Sequence, residues 1–420
     1  MSVLEHSRNK KKIINDPVYG LIGIRSPLVF DLIEHPWMQR LRRIKQLGLS
    51  FMVYPGANHT RFEHALGALH LMRQAIESLR LKNHTISDEE ADAAAIAIVL
   101  HDIGHGPFSH ALEHTLMPLG HEEISILLME ALNVQHNQQL DMAIFIFRGD
   151  YPKRFLHQMV SGQLDMDRLD YLTRDSFFTG VAEGVIGVDR LIKMLEIEND
   201  QLVVEAKAVY SIEKFLIARR LMYWQVYLHK TVLAADALLI SILRRARQLA
   251  TARTELFASP SLRPFLEGQV TPLETERLLH HFVELDDTDI LGSVKAWQNH
   301  ADPVLSYLSG CLIGRRLFHA EIVSQAPTDE QINELIGLIC SHFMVSPDDA
   351  QYFFSTHEVT NHAYDGLTDS IQVLDKQLGI RDVREASDID LAALTSRVKK
   401  YFVAYPKELR VNQFNSIFAR

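Results

Sequence analysis

His101 and Asp102 stand side by side at the end of an apolar run, Ala93-Ala94-Ala95-Ile96-Ala97-Ile98-Val99-Leu100. An ionised carboxylate in such surroundings needs a cation or several hydrogen-bond donors, and the imidazole before it can serve the same ion. A His-Asp pair is by itself a weak motif. Its neighbourhood is less ordinary: of 21 histidines in 420 residues, His101, His105, His110, His114 and His121 crowd into one short stretch. Adjacent helix residues point about 100° apart, so His101 and Asp102 share an ion only in the wedge between them. Other ligands must come from elsewhere. His64 is one candidate. It lies three residues after Arg61 on the same helix face, and a guanidinium beside a metal ligand suits a phosphate bound to that metal. Read alone, His64 is a core histidine; the set makes it a ligand. Asp167 is the other candidate, because Asp167, Tyr171 and Arg174 or Asp175 recur at helical spacing in an otherwise apolar segment.

Helices must hold these residues. A long helix is expected over Arg61 to about Leu81. Another runs from Ser87, where Glu90 completes a capping-box pattern, to His101-Asp102; Gly104, Gly106 and Pro107 break it. Further helices are expected at 121–132, 138–147 and 154–176. Upstream, residues 18–24 read as a strand–turn–strand, Ser26-Pro27 opens a helix, a second helix covers 36–47, and 51–54 reads as a short buried strand. Residues 197–205 read as a hairpin turning at Asn199-Asp200, and 206–250 as one very long helix or two abutting ones. Past Pro260, strand-like runs near 304–324 and 351–360 alternate with helical runs near 328–343 and 388–402. The expected fold is mainly α. A helical core with its N-terminal strand–turn–strand occupies 1–260, and a smaller α+β region occupies 261–420.

The formal net charge of −10 and pI of about 6.1 argue against bulk attraction to nucleic acid or to an anionic membrane. The local exception, Arg8-Asn9-Lys10-Lys11-Lys12, reads as a solvated terminus or as an anion site. Cys311 and Cys340 have no metal-binding spacing and read as buried thiols in a reducing compartment. With no apolar leader and no run of ~18 apolar residues, a cytoplasmic protein is expected.

Four motifs resemble, in length and order, those of the HD-domain deoxynucleoside triphosphate triphosphohydrolases. They are Arg61-Phe62-Glu63-His64-Ala65-Leu66-Gly67, the run from His101-Asp102-Ile103-Gly104-His105 to Ser109-His110, His121-Glu122, and Asp165-Met166-Asp167-Arg168-Leu169-Asp170-Tyr171. The similarity extends from about residue 13 to residue 230 and points to the branch that holds the vertebrate SAM-and-HD-domain enzyme and its bacterial relatives. No SAM domain is expected here. The resemblance implies an HD helical core with His64, His101, Asp102 and Asp167 on iron or manganese, and magnesium on the triphosphate. The donor types also admit zinc. Attack at Pα expels the 5′-oxygen of a nucleoside, which needs a general acid. His105, His110 and His121 match the family's catalytic histidines. Glu113, where the family more often has aspartate, would hold an imidazolium.

The resemblance further places Gln46 and Leu47 beside the sugar and Asp175 on its 3′-hydroxyl. It puts Arg61, Arg168, Tyr171 and Arg219 near phosphates, and Tyr227 against C2′, where with Leu47 it would exclude a ribose. Tyr223 departs from the pattern, since the vertebrate enzyme has histidine there. At helical spacing Tyr223, Trp224 and Tyr227 read equally well as core. A guanine-nucleotide effector site at a subunit interface would use Lys12, Ile13, Asn15, Glu34, Gln39 and Arg42; without it, these residues are a solvated face. The expected partners are deoxynucleoside triphosphates and further copies of the chain, as a tetramer or dimer. Two other functions fit the same residues. One is an HD phosphohydrolase for nucleoside monophosphates or a signalling nucleotide. The other is a non-catalytic nucleotide-sensing or nucleic-acid-binding protein.

Overall fold

The computed structural model describes residues 12–108, 113, 115–116, 119–271, 274–361, 370–391 and 398–411. Strands β1 (Lys12–Asp16) and β2 (Gly20–Ile24) form an antiparallel ribbon with Asp16 opposite Gly20. The strand–turn–strand therefore begins at Lys12, earlier than the pattern over 18–24 suggests. The cause is Asp16: its Oδ1 accepts the N–H groups of Val18 and Tyr19, each at 2.9 Å, a side-chain turn that places the corner at 17–19.

Helices α1 (Pro27–Glu34) and α2 (Pro36–Arg40) follow. The helix expected over 36–47 is cut short. After a 3-10 turn at Leu41–Arg43 the chain extends at Ile44, because Ile44 O accepts from Arg61 N and Gln46 N donates to His59 O. Tertiary pairing overrides helix preference here. Residues 51–54 are not a strand: Gly48–Met52 is a 3-10 turn. Helices α3 (Arg61–Leu81) and α4 (Asp88–Leu100) both open with full capping boxes, Thr60 with Glu63 and Ser87 with Glu90. Then come α5 (His121–Gln135), α6 (Asp141–Arg148), α7 (Arg154–Val160) and α8 (Met166–Thr179). The single helix expected over 154–176 is two. Asp165 caps α8 by accepting from Arg168 N at 2.7 Å and also accepts from Gly162 N at 2.7 Å, and such caps compete with a continuous helix.

After α9 (Val188–Lys193), β3 (Leu195–Glu198) and β4 (Gln201–Glu205) make the expected hairpin. Asn199 and Asp200 turn it with φ of +52° and +60°. Residues 206–250 form α10 (Val209–Met222), a π turn at Tyr223–Tyr227 and α11 (Lys230–Thr251), with a 52° bend between the two arms.

The C-terminal part holds α12 (Arg263–Leu266), α13 (Thr275–Phe282), α14 (Asp287–Trp297), α15 (Pro303–Ile313), β5 (His319–Val323) and α16 (Asp329–Phe343). Strands β6 (Ser355–Asn361), β7 (Gln372–Asp375), β8 (Gly379–Asp382) and β9 (Val398–Tyr405) complete it. The start of the strand-like run 304–324 is helical, since Asp302 caps α15 and Pro303 opens it. The run 388–402 ends in a strand, β9, and its middle lies outside the described residues. One sheet has the order β5-β9-β6; the other is β3-β4-β7-β8, with β4 and β7 parallel. The fold is mainly α.

The centre of the molecule is α3, packed against both α4 and α8. In α4 every residue from Ala93 to Leu100 is buried. Each fully buried aliphatic side chain of valine size or larger contributes about 1.5–3 kcal/mol relative to exposure, which fixes the helix that ends in His101 and Asp102. Among the described residues no single helix is long and apolar enough to cross a membrane.

Candidate active site

Three central helices bring three of the four proposed ligands, His64, His101 and Asp167, within 4.8 Å of one another, with Asp102 beside the two imidazoles. His64 lies in the first turn of α3, His101 and Asp102 follow the last turn of α4, and Asp167 lies in the first turn of α8. His64 Nε2 is 3.3 Å from His101 Nε2 and 3.1 Å from Asp167 Oδ1. His101 Nε2 is 3.5 Å from Asp167 Oδ1 and 3.3 Å from Asp102 Oδ1. Asp102 Oδ2 is 3.8 Å from His64 and accepts from Arg61 Nη1 at 2.5 Å.

This donor set fits a divalent metal ion. Both Nε2 atoms face inward because both Nδ1 atoms are engaged, His64 with Asp170 Oδ2 at 2.7 Å and His101 with Ile98 O at 2.6 Å. Such outer partners fix the tautomer that ligates. Burial opposes a charge on His64, yet the carboxylates of Asp167 and Asp170 raise its pKa to about 10. Burial likewise opposes ionisation of Asp102, while His101, His105 and Arg61 hold its pKa well below the usual carboxylate range. A cation entering this potential displaces the proton from His64.

Asp170 is a residue the sequence pattern left without a role. It links His64 to Arg174, whose Nε and Nη2 both donate to it at 3.0 Å, and Arg174 Nη1 reaches Asp16 Oδ2 at 2.8 Å. Gly67 makes room for this pair: a Cβ there would lie 1.9 Å from Asp170 Oδ1.

Beyond Asp102 lies a second cluster. His105 Nε2 is 3.2 Å from Asp102 Oδ1, and the rings of His105 and His121 stack at 4.0 Å. Glu113 Oε1 is 2.5 Å from His121 Nδ1. These groups lie close enough for a cation, but the two rings are only 16° from parallel. Imidazole lone pairs lie in the ring plane, so they run side by side here and do not converge on one ion. The cluster suits proton transfer. Burial and the Arg61 guanidinium push the pKa of His105 down to about 3. Burial also works against a charged His121, but the hydrogen bond and charge of Glu113 prevail and raise its pKa. His110 lies outside the described residues.

On the α8 and α10 side, Arg168 bonds Asp165, and Arg219 donates to Gln163 Oε1 at 2.9 Å. The Nε atoms of both guanidiniums are buried and lack a hydrogen-bond partner among the described residues. Tyr171 stands among Tyr223, Arg219, Arg168 and Asp167; burial, then the charges of Tyr223 and Asp167, raise its pKa against the two arginines. Tyr227 packs edge-on to Tyr171 and to Tyr223, and its hydroxyl donates to Asp175 Oδ2 at 2.7 Å. The π turn presents Tyr223 and Tyr227, and such turns recur at functional sites. The other oxygen of Asp175 is 2.8 Å from His59 Nε2, and His59 stacks on Phe178. His59 O also accepts from Gln46 N, which ties the loop carrying Gln46 and Leu47 to the histidine that holds Asp175. No local pattern marks His59, whose place rests on contacts across the fold.

The six proposed effector residues lie on β1, at the end of α1, in α2 and in the turn after it. Lys12 Nζ is 2.6 Å from Glu34 Oε1, Arg42 Nε donates to Gln39 Oε1 at 2.7 Å, and Gln39 is tied to the end of α1 through Ile33 O. Arg42 also covers the Phe62 ring at 3.7 Å. Ile13 is 67% exposed, and Asn15 is exposed on the same ribbon.

The HD domain family matches residues 61–174, and the HD associated region matches 186–259. The crystal structure of a phosphohydrolase from Bacteroides thetaiotaomicron superposes with a TM-score of 0.91 at 52% identity, covering 94% of this chain and 99% of that one. YwfO of Bacillus subtilis, an uncharacterised protein, is 30% identical over 420 residues, 96% of this chain and 93% of its own length. The deoxynucleoside triphosphate triphosphohydrolase SAMHD1 homolog of Dictyostelium discoideum is 30% identical over 270 residues, 60% of this chain. The chain spans 52% of the length of that relative. Likeness along almost the whole of a solved phosphohydrolase, with the HD motif at the heart of a buried His/Asp cluster, shows that this chain belongs to the HD-domain phosphohydrolase family.

Proposed function

We propose that the protein hydrolyses deoxynucleoside triphosphates at Pα, releasing a deoxynucleoside and intact tripolyphosphate. The observation that carries this reading is what lines the His/Asp cluster on its α8 and α10 side: buried guanidiniums whose Nε donors have no partner among the described residues, and next to them, through Tyr171, the His59–Asp175–Tyr227 network. The first suits a polyanion; the second suits a sugar edge.

His64, His101, Asp102 and Asp167 would hold iron or manganese, with zinc compatible, and magnesium would accompany the triphosphate. Such an ion supplies a water of lowered pKa and neutralises charge on the phosphate. The chain does the rest. Arg61 keeps Asp102 oriented and presents a cation beside the cluster. Arg168, Arg219, Tyr171 and Tyr223 line the triphosphate. Asp175 accepts from the 3′-hydroxyl, Gln46 lies alongside, and Leu47 with Tyr227 fills the space a 2′-hydroxyl would need. His121, its charge supported by Glu113 at Nδ1, supplies the proton to the leaving 5′-oxygen, with His105 and His110 as the other two catalytic histidines. The surface formed by Lys12, Ile13, Asn15, Glu34, Gln39 and Arg42 is our proposed nucleotide effector site; opening the Lys12–Glu34 pair would free the carboxylate for a guanine edge. A homo-oligomer in the cytoplasm, binding no nucleic acid, completes the reading.

Chromatography of reactions containing each dNTP in manganese tests it. Deoxynucleoside and tripolyphosphate should appear together, and dATP should outrun ATP; equal rates for the two would remove the sugar-edge role of Leu47 and Tyr227. The proton donor has its own signature. Glu113→Gln removes the charge that raises the pKa of His121, so the alkaline limb of kcat/KM should move to lower pH. An unmoved limb would assign the acid to another group.

A further inference from the structure

Leu285, Asp286 and Asp287 fall outside both matched family regions, yet they reach the back of the site. Asp287 is the first residue of α14 and is buried. Its Oδ2 accepts the N–H of Lys45 at 2.9 Å and its Oδ1 accepts the N–H of Phe108 at 3.0 Å. Lys45 precedes Gln46 and Leu47. Phe108 closes the turn that carries His101, Asp102 and His105, with a φ of +50°, a left-handed conformation that an aromatic residue adopts only when its surroundings impose it. The two loops touch, for a Cβ on Gly48 would lie 3.9 Å from Phe108 Cα.

Arg40 grips the same turn from its carbonyl side. Its guanidinium is fully buried, covers the Phe282 ring, and donates to Ile103 O, His105 O and Leu285 O, each at 2.9 Å. Asp286 pairs with Arg43 at the edge of this contact.

We propose that Asp287 is a positioning residue for catalysis, one carboxylate that sets the spacing between the sugar-side loop at 45–47 and the histidine turn at 101–108. The inference rests on the functional reading of those two loops. A carboxylate is an expensive way to join two loops for stability alone: burial, helped by Asp286, lifts its pKa to about 6 despite the two N–H donors and Lys45. What a carboxylate offers is two acceptors of fixed separation, one for each loop.

Asp287→Asn tests this with almost no change of shape. An amide has one acceptor and one donor group, so one of the two N–H groups loses its partner. The variant should keep its full metal content and the wild-type KM. Its kcat should fall about 10–100-fold, since misplacement of about 1 Å costs that much. Hydrogen exchange, which needs no substrate, should rise in peptides covering 45–48 and 101–108 while α3 and α11 stay protected. Asp287→Glu retains both acceptors and should recover part of kcat, and it serves as the folded variant if the amide destabilises the chain. Wild-type kcat in Asp287→Asn would overturn the proposal. So would loss of protection shared by all peptides in both variants, which would mark a purely structural residue. A wild-type chain that turned over no nucleotide would instead end the functional reading, with exchange still deciding whether Asp287 ties the loops.

Discussion

Asp167→Ala should empty the metal centre and cut turnover by at least about a thousandfold, because a bound ion brings the pKa of water to about 7 from far above neutrality. Asp167 is the proposed ligand that α8 contributes, and its Oδ1 lies within 3.5 Å of both imidazole Nε2 atoms. Without it the two histidines face Asp102 alone, and one oxygen of Asp102 is already engaged by Arg61. Elemental analysis after gel filtration checks the first half of the expectation and steady-state turnover the second. Full metal occupancy in the variant would remove Asp167 from the ligand set.

Asp170→Ala should destabilise the fold by about 3–5 kcal/mol, the range for breaking a buried ion pair and stranding one partner. Arg174 would lose two hydrogen bonds and keep, among the described residues, the one to Asp16, and His64 would lose the acceptor that orients its ring. Metal affinity should fall about 10–100-fold as well, as for other outer partners of a ligating histidine. The stability effect has a pH signature. Burial opposes ionisation of Asp170, but Arg174 and His64 hold its pKa below the usual value. A depressed folded pKa stabilises above the unfolded value, about 3.9, and the stabilisation is lost as pH falls through the folded one. The gap in urea midpoint between wild type and variant should therefore be full near neutrality and close in acid. A gap independent of pH would mean that the loss is one of packing, not of charge.

The elements that carry the proposed ligands are legible in the sequence because each has a local signal. The capping boxes at Thr60 and Ser87 fix the starts of α3 and α4, and helical periodicity places Asp167 on one face with Tyr171. What escaped detection depends on contacts distant in sequence. The backbone pairing of 44–46 with 59–61 ends α2 early and brings His59 to Asp175. The π turn at Tyr223–Tyr227 has no marker, since residues 206–250 contain neither glycine nor proline. Asp287 is separated from Lys45 and Phe108 by most of the chain's matched regions. The division we propose near residue 260 separates a helical core from a smaller α+β region, and the four-stranded sheet crosses it by pairing β4 with β7.

Hydrolysis of a dNTP in water enriched in oxygen-18, with both products examined by mass spectrometry, tests the central claim most directly. Attack at Pα with loss of the 5′-oxygen predicts one label in tripolyphosphate and none in the deoxynucleoside. Label in orthophosphate or pyrophosphate released ahead of any nucleoside would place the reaction at another bond and contradict the reading of this site.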